Sequence, residues 1–125
     1  MSALAPSLQP DLQRTVAKAT LRAADMLGLT AAEMAAIIGV SPATMSRLKG
    51  EAAATALAGK PYELALLFIR LYRSLDAITG GDDGVSRRWL RGDNAALGGA
   101  PAERIRTVEG LAHVVAYLDA RRAPL

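Results

Sequence analysis

The sequence lacks cysteine entirely, has a single histidine, and contains only 4% aromatic residues. Without cysteine the chain can form neither disulfides nor thiolate metal sites, which is compatible with a reducing compartment. One histidine and no clustered carboxylates leave little for general acid–base or metal chemistry. The sequence therefore predicts a protein that is not an enzyme and that uses no cofactor and no metal.

Long hydrophobic runs and a strong excess of one charge are also missing. No apolar run approaches the roughly 20 residues that a membrane span needs, and residues 1–10 lack the charged segment and apolar core of a signal peptide. We therefore expect a soluble cytoplasmic protein with no membrane partner. Because the net charge is only +3, any contact with DNA must be a local patch rather than a global field.

What the sequence does have is alanine and leucine, which supply most of a hydrophobic content of 51%. Both are strong helix formers, so the predicted fold class is all-α. With 125 residues, the chain forms one ordinary domain or two very small ones. We predict a flexible N-terminus over residues 1–10, a first domain over 11–79 and a C-terminal domain over 80–125, with the stretch GGDDG at 80–84 as a linker.

Start signals place the first predicted helices. Asp11 follows Pro10 and is an N-cap candidate for a first helix that runs toward Gly28. Thr30 and Glu33 fit a capping box, in which the threonine hydroxyl accepts from the third helical amide and the glutamate reaches back to the cap. The sequence therefore predicts a second helix that begins directly after residue 30.

The most apolar segment of the chain begins at Pro61 with PYELALLFIRLYRSL. Its apolar residues recur on two sides of the predicted helix, which is more than a single buried face requires. Packing between two subdomains and packing against another copy of the chain both explain the surplus. We predict a homodimer that forms through the helix at 62–79.

One stretch meets the demands of a helix-turn-helix, in which two helices meet at a steep angle through a tight turn. Counted from Ala31, the small residue required where the helices touch is Ala35, and the glycine of the turn is Gly39. Five apolar residues fall at the positions that point inward: Met34, Ile38, Val40, Met45 and Leu48. The pattern predicts a second helix that begins at Ser41, with Pro42 at its first position.

The second helix of this unit leaves six candidate DNA-binding residues outward: Ser41, Ala43, Thr44, Ser46, Arg47 and Lys49. Its hydroxyls and its N-terminus can bond phosphate oxygens. Arg47 is the only long forked donor among them and is the candidate for a base edge, with guanine as the usual target. Because one small unit makes few phosphate contacts, useful affinity requires a dimer on two half-sites. The alternative is a helical hairpin that only packs or that now binds protein.

The C-terminal segment carries a set of motifs in a fixed order, which are Trp89, the loop Asn94-x-x-Leu97-Gly98-Gly99, Pro101, and Thr107-x-Glu109-Gly110 at the start of a helix with Val114 and Leu118. In this order and spacing they resemble the C-terminal toxin-binding domain of the Xre/MbcA/ParS antitoxin family. The segment departs from the family at Asp93, where members commonly have proline. With the Xre-like helix-turn-helix, the resemblance covers the chain from about Asp11 to Arg122.

The resemblance implies a type II antitoxin. Its partner would be a RES-domain toxin that degrades NAD⁺. The C-terminal part would obstruct the entrance to the toxin's active site, while the N-terminal part would dimerise and repress the antitoxin's own operon. The candidate toxin-binding residues are Trp89, Asn94, His113, Tyr117, Arg121 and Arg122.

The residues of the tail also allow other interpretations. Trp89 is the only tryptophan, and its default role is a buried anchor of a small subdomain. His113 and Tyr117 lie one turn apart on the last helix, either as an exposed pair without a task or, with Arg121 and Arg122, as anchors for a partner. Two other functions stay open: a stand-alone helix-turn-helix regulator whose tail dimerises or senses an effector, and a protein-binding module with a vestigial helix-turn-helix.

Overall fold

The computed structural model describes residues 5–50 and 52–122, and in these ranges the chain forms eight α-helices and one short 3-10 helix. The predicted all-α fold class is confirmed. In chain order the elements are α1 (Ala5–Met26), α2 (Ala31–Ile38), α3 (Pro42–Arg47), α4 (Ala53–Ala56), α5 (Lys60–Ile78), α6 (Asp83–Arg91), the 3-10 helix (Ala95–Leu97), α7 (Pro101–Arg104) and α8 (Val108–Arg122).

The first helix begins earlier than the sequence indicates. α1 begins at Ala5, and Pro10 lies inside it, so the predicted helix start at Asp11 is wrong. Proline lacks the N–H that would bond to the carbonyl one turn back, but this costs α1 a single hydrogen bond near its end, with about four further turns to follow. Of the N-terminus predicted to be flexible over 1–10, residues 5–10 are helical and residues 1–4 lie outside the described residues.

The caps of α2 and α3 are formed as predicted. Thr30 and Glu33 make both bonds of the capping box, since Thr30 Oγ1 accepts from Glu33 N at 3.1 Å and Glu33 Oε1 accepts from Thr30 N at 2.8 Å. Gly39 ends α2 in the left-handed region with a φ of 72°, which favours glycine. Ser41 Oγ accepts from Thr44 N at 3.1 Å and caps α3.

The core is one continuous cluster that draws on both predicted domains. The predicted inner face of α1 is confirmed, because its residues are all buried: Val16, Thr20, Ala23, Ala24 and Leu27. The cluster continues through Phe68 of α5 to Leu90 of α6 and Leu118 of α8. None of the helices in the described ranges combines the length and the hydropathy of a bilayer-spanning segment.

α5 is the helix that joins the two parts of the chain. It packs against α1 and α2 and also against α6 and α8. Ser74, which is fully buried on α5, donates a hydrogen bond from Oγ to Asp119 Oδ1 of α8 at 2.8 Å. The two-sided apolar pattern therefore serves packing within one chain. Leu66 of α5 nevertheless stays 44% exposed, and the homodimer through this helix stays a prediction.

The stretch at 80–84 is a tight turn and not a linker. Gly80 and Gly81 both have positive φ angles, and Asp82 caps α6 by accepting from Val85 N at 3.1 Å. The Oγ1 of Thr79 and the Oγ of the buried Ser86 lie 2.8 Å apart across the turn. Asp83 and Gly84, which read as flexible in the sequence, form the first turn of α6 because Asp82 satisfies its amides.

The last helix has the predicted buried stripe with one exception. Leu111, Val114, Val115 and Leu118 are buried, whereas Val108 is 58% exposed. Val108 is the first residue of α8 and lies at the end of the stripe, outside the packed part of the helix. The prediction that Val108 belongs to the inner face is therefore wrong.

Candidate functional site

The helix-turn-helix of α2 and α3 has the geometry that the sequence predicts. The small residue Ala35 is buried at 6% exposure, and four of the inward positions are buried: Met34, Ile38, Met45 and Leu48. Val40 is partly buried and packs against the same core. Since both helices are anchored by their apolar faces, the outward side of α3 is held in a fixed place.

The outward side of α3 is exposed. Ser41, Ala43, Ser46, Arg47 and Lys49 are exposed and Thr44 is partly buried. Ser41 Oγ donates to Thr44 Oγ1 at 3.0 Å, and Arg47 Nη2 donates to the same oxygen at 3.2 Å. These side chains therefore form a hydrogen-bonded row along the helix, in which the guanidinium of Arg47 lies against Thr44 and remains open to solvent.

A second exposed group of side chains lies on the C-terminal part, and we call it the aromatic cluster. It consists of Trp89 of α6 and of Tyr117 and Arg121 of α8. The rings of Trp89 and Tyr117 are stacked, with centroids 6.3 Å apart and an interplanar angle of 24°. The guanidinium carbon of Arg121 lies 4.3 Å from the centroid of the Tyr117 ring, within the range of a cation–π contact. His113 is exposed one turn earlier on α8.

Two other predicted toxin-binding residues make contacts inside the chain. Asn94 caps the 3-10 helix, because its Oδ1 accepts from Leu97 N at 3.3 Å. Arg122 donates from Nη1 to Ser74 Oγ at 3.3 Å. The structure therefore brings Trp89, Tyr117 and Arg121 together and places Asn94 and Arg122 apart from them in structural contacts.

Three arginines of the C-terminal part meet the turn between α1 and α2, and we call this group the arginine clasp. Arg91 donates to both carboxylate oxygens of Glu33, at 2.5 and 2.9 Å, and to the carbonyl of Gly28 at 3.0 Å. Arg87 Nε donates to the carbonyl of Met26 at 2.9 Å. Arg106 Nη2 lies 3.5 Å from Glu33 Oε2.

The arginine clasp sets the charge state of Glu33. The hydrogen bonds from Arg91, helped by those from Thr30, lower the pKa of Glu33 from 4.5 to about 2, although partial burial acts in the opposite direction. The same pairing raises the pKa of Arg91. A two-pronged arginine–carboxylate pair fixes distance and orientation together, so α6 is held to the first turn of α2.

Two family models match the chain, and together they cover nearly all of it. Residues 7–70 match the antitoxin Xre-like helix-turn-helix domain, and residues 74–123 match the antitoxin Xre/MbcA/ParS C-terminal toxin-binding domain. The chain belongs to the Xre/MbcA/ParS antitoxin family. It is thus an antitoxin with an Xre-like helix-turn-helix followed by a toxin-binding domain. A search of curated proteins gives no match.

The antitoxin's T-x-E-G motif has a clear structural role. Thr107 caps α8, since its Oγ1 accepts from Gly110 N at 3.0 Å. Gly110 lies against the end of α7, where an added Cβ would clash with the carbonyl oxygen of Arg104 and lie 2.8 Å from its carbonyl carbon. Glu109 points to solvent. The motif therefore sets the angle at which α8 leaves α7, and so the place of Tyr117 and Arg121.

The arginine clasp is the part of the antitoxin that the sequence did not reveal. Arg87 and Arg91 are four residues apart, so their placement on one face of a helix was readable. Their partner Glu33 lies 58 residues before Arg91 and already had a role in the capping box. Nothing in the local pattern indicates that one carboxylate serves both contacts.

Proposed function

We propose that this antitoxin neutralises a RES-type, NAD-degrading toxin by direct contact and represses its own operon as a dimer. The observation that carries the proposal is the presence of two exposed sites on one chain, the polar row of α3 and the aromatic cluster of α6 and α8. The identity of the toxin follows from the resemblance of the tail to antitoxins that partner RES-domain toxins. We assign no catalytic step to the chain itself.

The DNA contact in this proposal is made by α3. Arg47 reads a base edge, for which a guanidinium suits the two acceptors of guanine. Ser41, Thr44 and Ser46 bond phosphate oxygens and set the register of the helix, while Lys49 adds a charge contact. Because Arg47 lies against Thr44 in the free chain, entering the groove exchanges that weak intramolecular bond for a contact with the base.

The toxin contact in this proposal is made by the aromatic cluster together with His113. Tyrosine, tryptophan and arginine are the side chains that most often dominate the energy of protein interfaces. The stacking of Trp89 on Tyr117 fixes both rings before binding, so little side-chain freedom is lost when a partner covers them. The exposed guanidinium of Arg121 supplies a charge at the edge of this surface.

The dimer in this proposal forms on the outer face of α1 and α5. Leu12 and Leu66 are 55% and 44% exposed, and a groove between the two helices is lined by Val16, Ala19, Leu66 and Ile69 with Arg70 and Arg73. A second copy that covers these apolar residues would place two α3 helices on one operator with two half-sites. Sedimentation equilibrium of the parent chain and of Leu66→Glu tests this, because the charge in the groove should leave a monomer.

One crossed experiment tests the two contacts. Arg47→Ala should weaken binding to the DNA upstream of the gene by about 1–3 kcal/mol per half-site and leave neutralisation of the toxin unchanged. Arg121→Glu should weaken toxin binding by about 2 kcal/mol and leave operator binding unchanged, so each variant is the control for the other. Operator affinity of the parent should also fall steeply as salt rises.

The crossed design has clear contrary outcomes. Equal operator binding by Arg47→Ala and the parent would show that α3 does not read the DNA. Full rescue of growth by Arg121→Glu, in cells that express the neighbouring toxin gene, would remove the aromatic cluster from the toxin interface. An adjacent gene unrelated to RES-type toxins would contradict the proposed partner.

A further inference from the structure

The arginine clasp acts on the helix-turn-helix through Glu33, which has two tasks at once. Glu33 is the third residue of α2 and closes its capping box, and it is also the carboxylate that Arg91 grips with both guanidinium nitrogens. α2 packs directly on α3. The position of α3 is therefore tied to α6 through a short series of contacts that begins at Arg91.

The clasp also adjoins the aromatic cluster. Trp89 lies on α6 between Arg87 and Arg91, and the Arg91 side chain is 45% exposed. A protein bound over Trp89 contacts the same helix that carries the clasp. α6 packs on α5 and α7, whereas the hydrogen bonds from α6 to the α1–α2 region come from Arg87 and Arg91.

A bound partner can change the affinity of a second site only if the two arrangements of the chain differ in free energy toward both ligands. We propose that the Arg91–Glu33 pair couples occupancy of the toxin site to the affinity of α3 for its operator, with Arg91 as the positioning residue. This inference rests on the proposed function. A toxin seated on α6 shifts Arg91, and Arg91 transmits the shift to the first turn of α2.

The test measures operator affinity of the full-length antitoxin with and without saturating purified toxin. The ratio of the two dissociation constants is the coupling factor. We expect a factor of at least about fivefold in the parent chain. Reciprocity requires that operator DNA change toxin affinity by the same factor, which provides an independent measurement of the same quantity.

The variants separate a coupling role from a merely structural one. Arg91→Ala should reduce the coupling factor to less than about twofold while each site still binds its own ligand. Arg91→Lys should restore part of it, because a single ammonium cannot bridge both carboxylate oxygens and the Gly28 carbonyl. Arg88→Ala is the matched control, since Arg88 is an exposed arginine in the same last turn of α6, and it should retain the parental factor.

The outcomes are distinct. A parent chain that binds toxin and operator with no coupling, or equal coupling in the parent and in Arg91→Ala, overturns the inference and leaves the proposed function standing. A parent chain that fails to bind toxin or operator alone shows instead that the proposed function is wrong, and the inference fails with it. If Arg91→Ala does not fold, as judged by circular dichroism, then the comparison of Arg91→Lys with the parent decides the question.

Discussion

At the scale of single residues, Gly110 decides how the toxin-binding part is built. The carbonyl of Arg104 comes so close to this position that no side chain fits. The conflict is with backbone atoms, which cannot rotate away as a side chain would. α7 and α8 can therefore meet at their observed angle only if residue 110 has no Cβ.

We expect Gly110→Ala to lower the free energy of unfolding by roughly 1–3 kcal/mol, the usual cost of overpacking, and to weaken toxin binding. Urea denaturation measures the first effect and titration with toxin the second. Gly50→Ala is the control, because a Cβ there would meet no atom within 4 Å. Equal stability of the parent and Gly110→Ala would mean that α7 and α8 can separate freely.

Residue roles were predictable where the contact is local. The caps formed by Thr30 and Ser41 and the turn at Gly39 each depend on neighbours within about four residues, so spacing alone indicated them. The reason for Gly110 depends on where the carbonyl of Arg104 lies after folding. The sequence marks that glycine as part of a motif but gives no cause for it.

At the scale of secondary-structure elements, capping signals were reliable and breaking signals were not. α2 and α3 begin where their caps predict, and the last helix follows Thr107 as expected. Pro10 and the glycines at 80–84 read as breaks, yet the first lies within α1 and the second stretch is a turn that leads into α6. One missing hydrogen bond or two left-handed glycines cost less than the packing of the flanking helices contributes.

The element that depends most on charge is α2, and its stability should depend on pH. Glu33 has a pKa lowered to about 2 in the folded chain, so the unfolded chain binds its proton first as the pH falls. The contribution of Glu33 is therefore fully present above about pH 5 and is lost between about pH 5 and pH 2. It amounts to roughly 1–3 kcal/mol after allowance for the exposed guanidinium of Arg91.

Glu33→Gln should flatten this part of the stability curve, because glutamine keeps a capping oxygen but cannot titrate. Urea denaturation at a series of pH values from 6 to about 2.5 measures it. Glu109→Gln, in the first turn of α8, controls for the loss of one negative charge. An unchanged slope in Glu33→Gln would show that the Arg91 pair contributes nothing to folding.

At the scale of the whole molecule, the buried cluster runs without interruption from α1 to α8. The sequence predicted both functional parts and the two apolar sides of the helix between them. It left open whether the second side serves the same chain or another copy. It also could not show the contact of Arg91 with Glu33, because partners 58 residues apart meet only after both parts have folded.

We expect the antitoxin to unfold in one cooperative transition. Trp89 reports only the C-terminal part in fluorescence, whereas far-ultraviolet circular dichroism reports helix throughout the chain. The two probes should give the same midpoint in urea, and Gly110→Ala should lower both midpoints together. A fluorescence midpoint well below the dichroism midpoint would show that the toxin-binding part melts by itself.

α5 also limits how this antitoxin can diversify. Its early residues, such as Leu64, approach the turn at Gly39, and its later ones, such as Ser74, hold Asp119. A genetic crossover inside this helix would pair an operator-reading half from one ancestor with a toxin-gripping half shaped for another. Successful exchange of halves between relatives should therefore require compensating changes along α5, so that the two binding preferences tend to be inherited together.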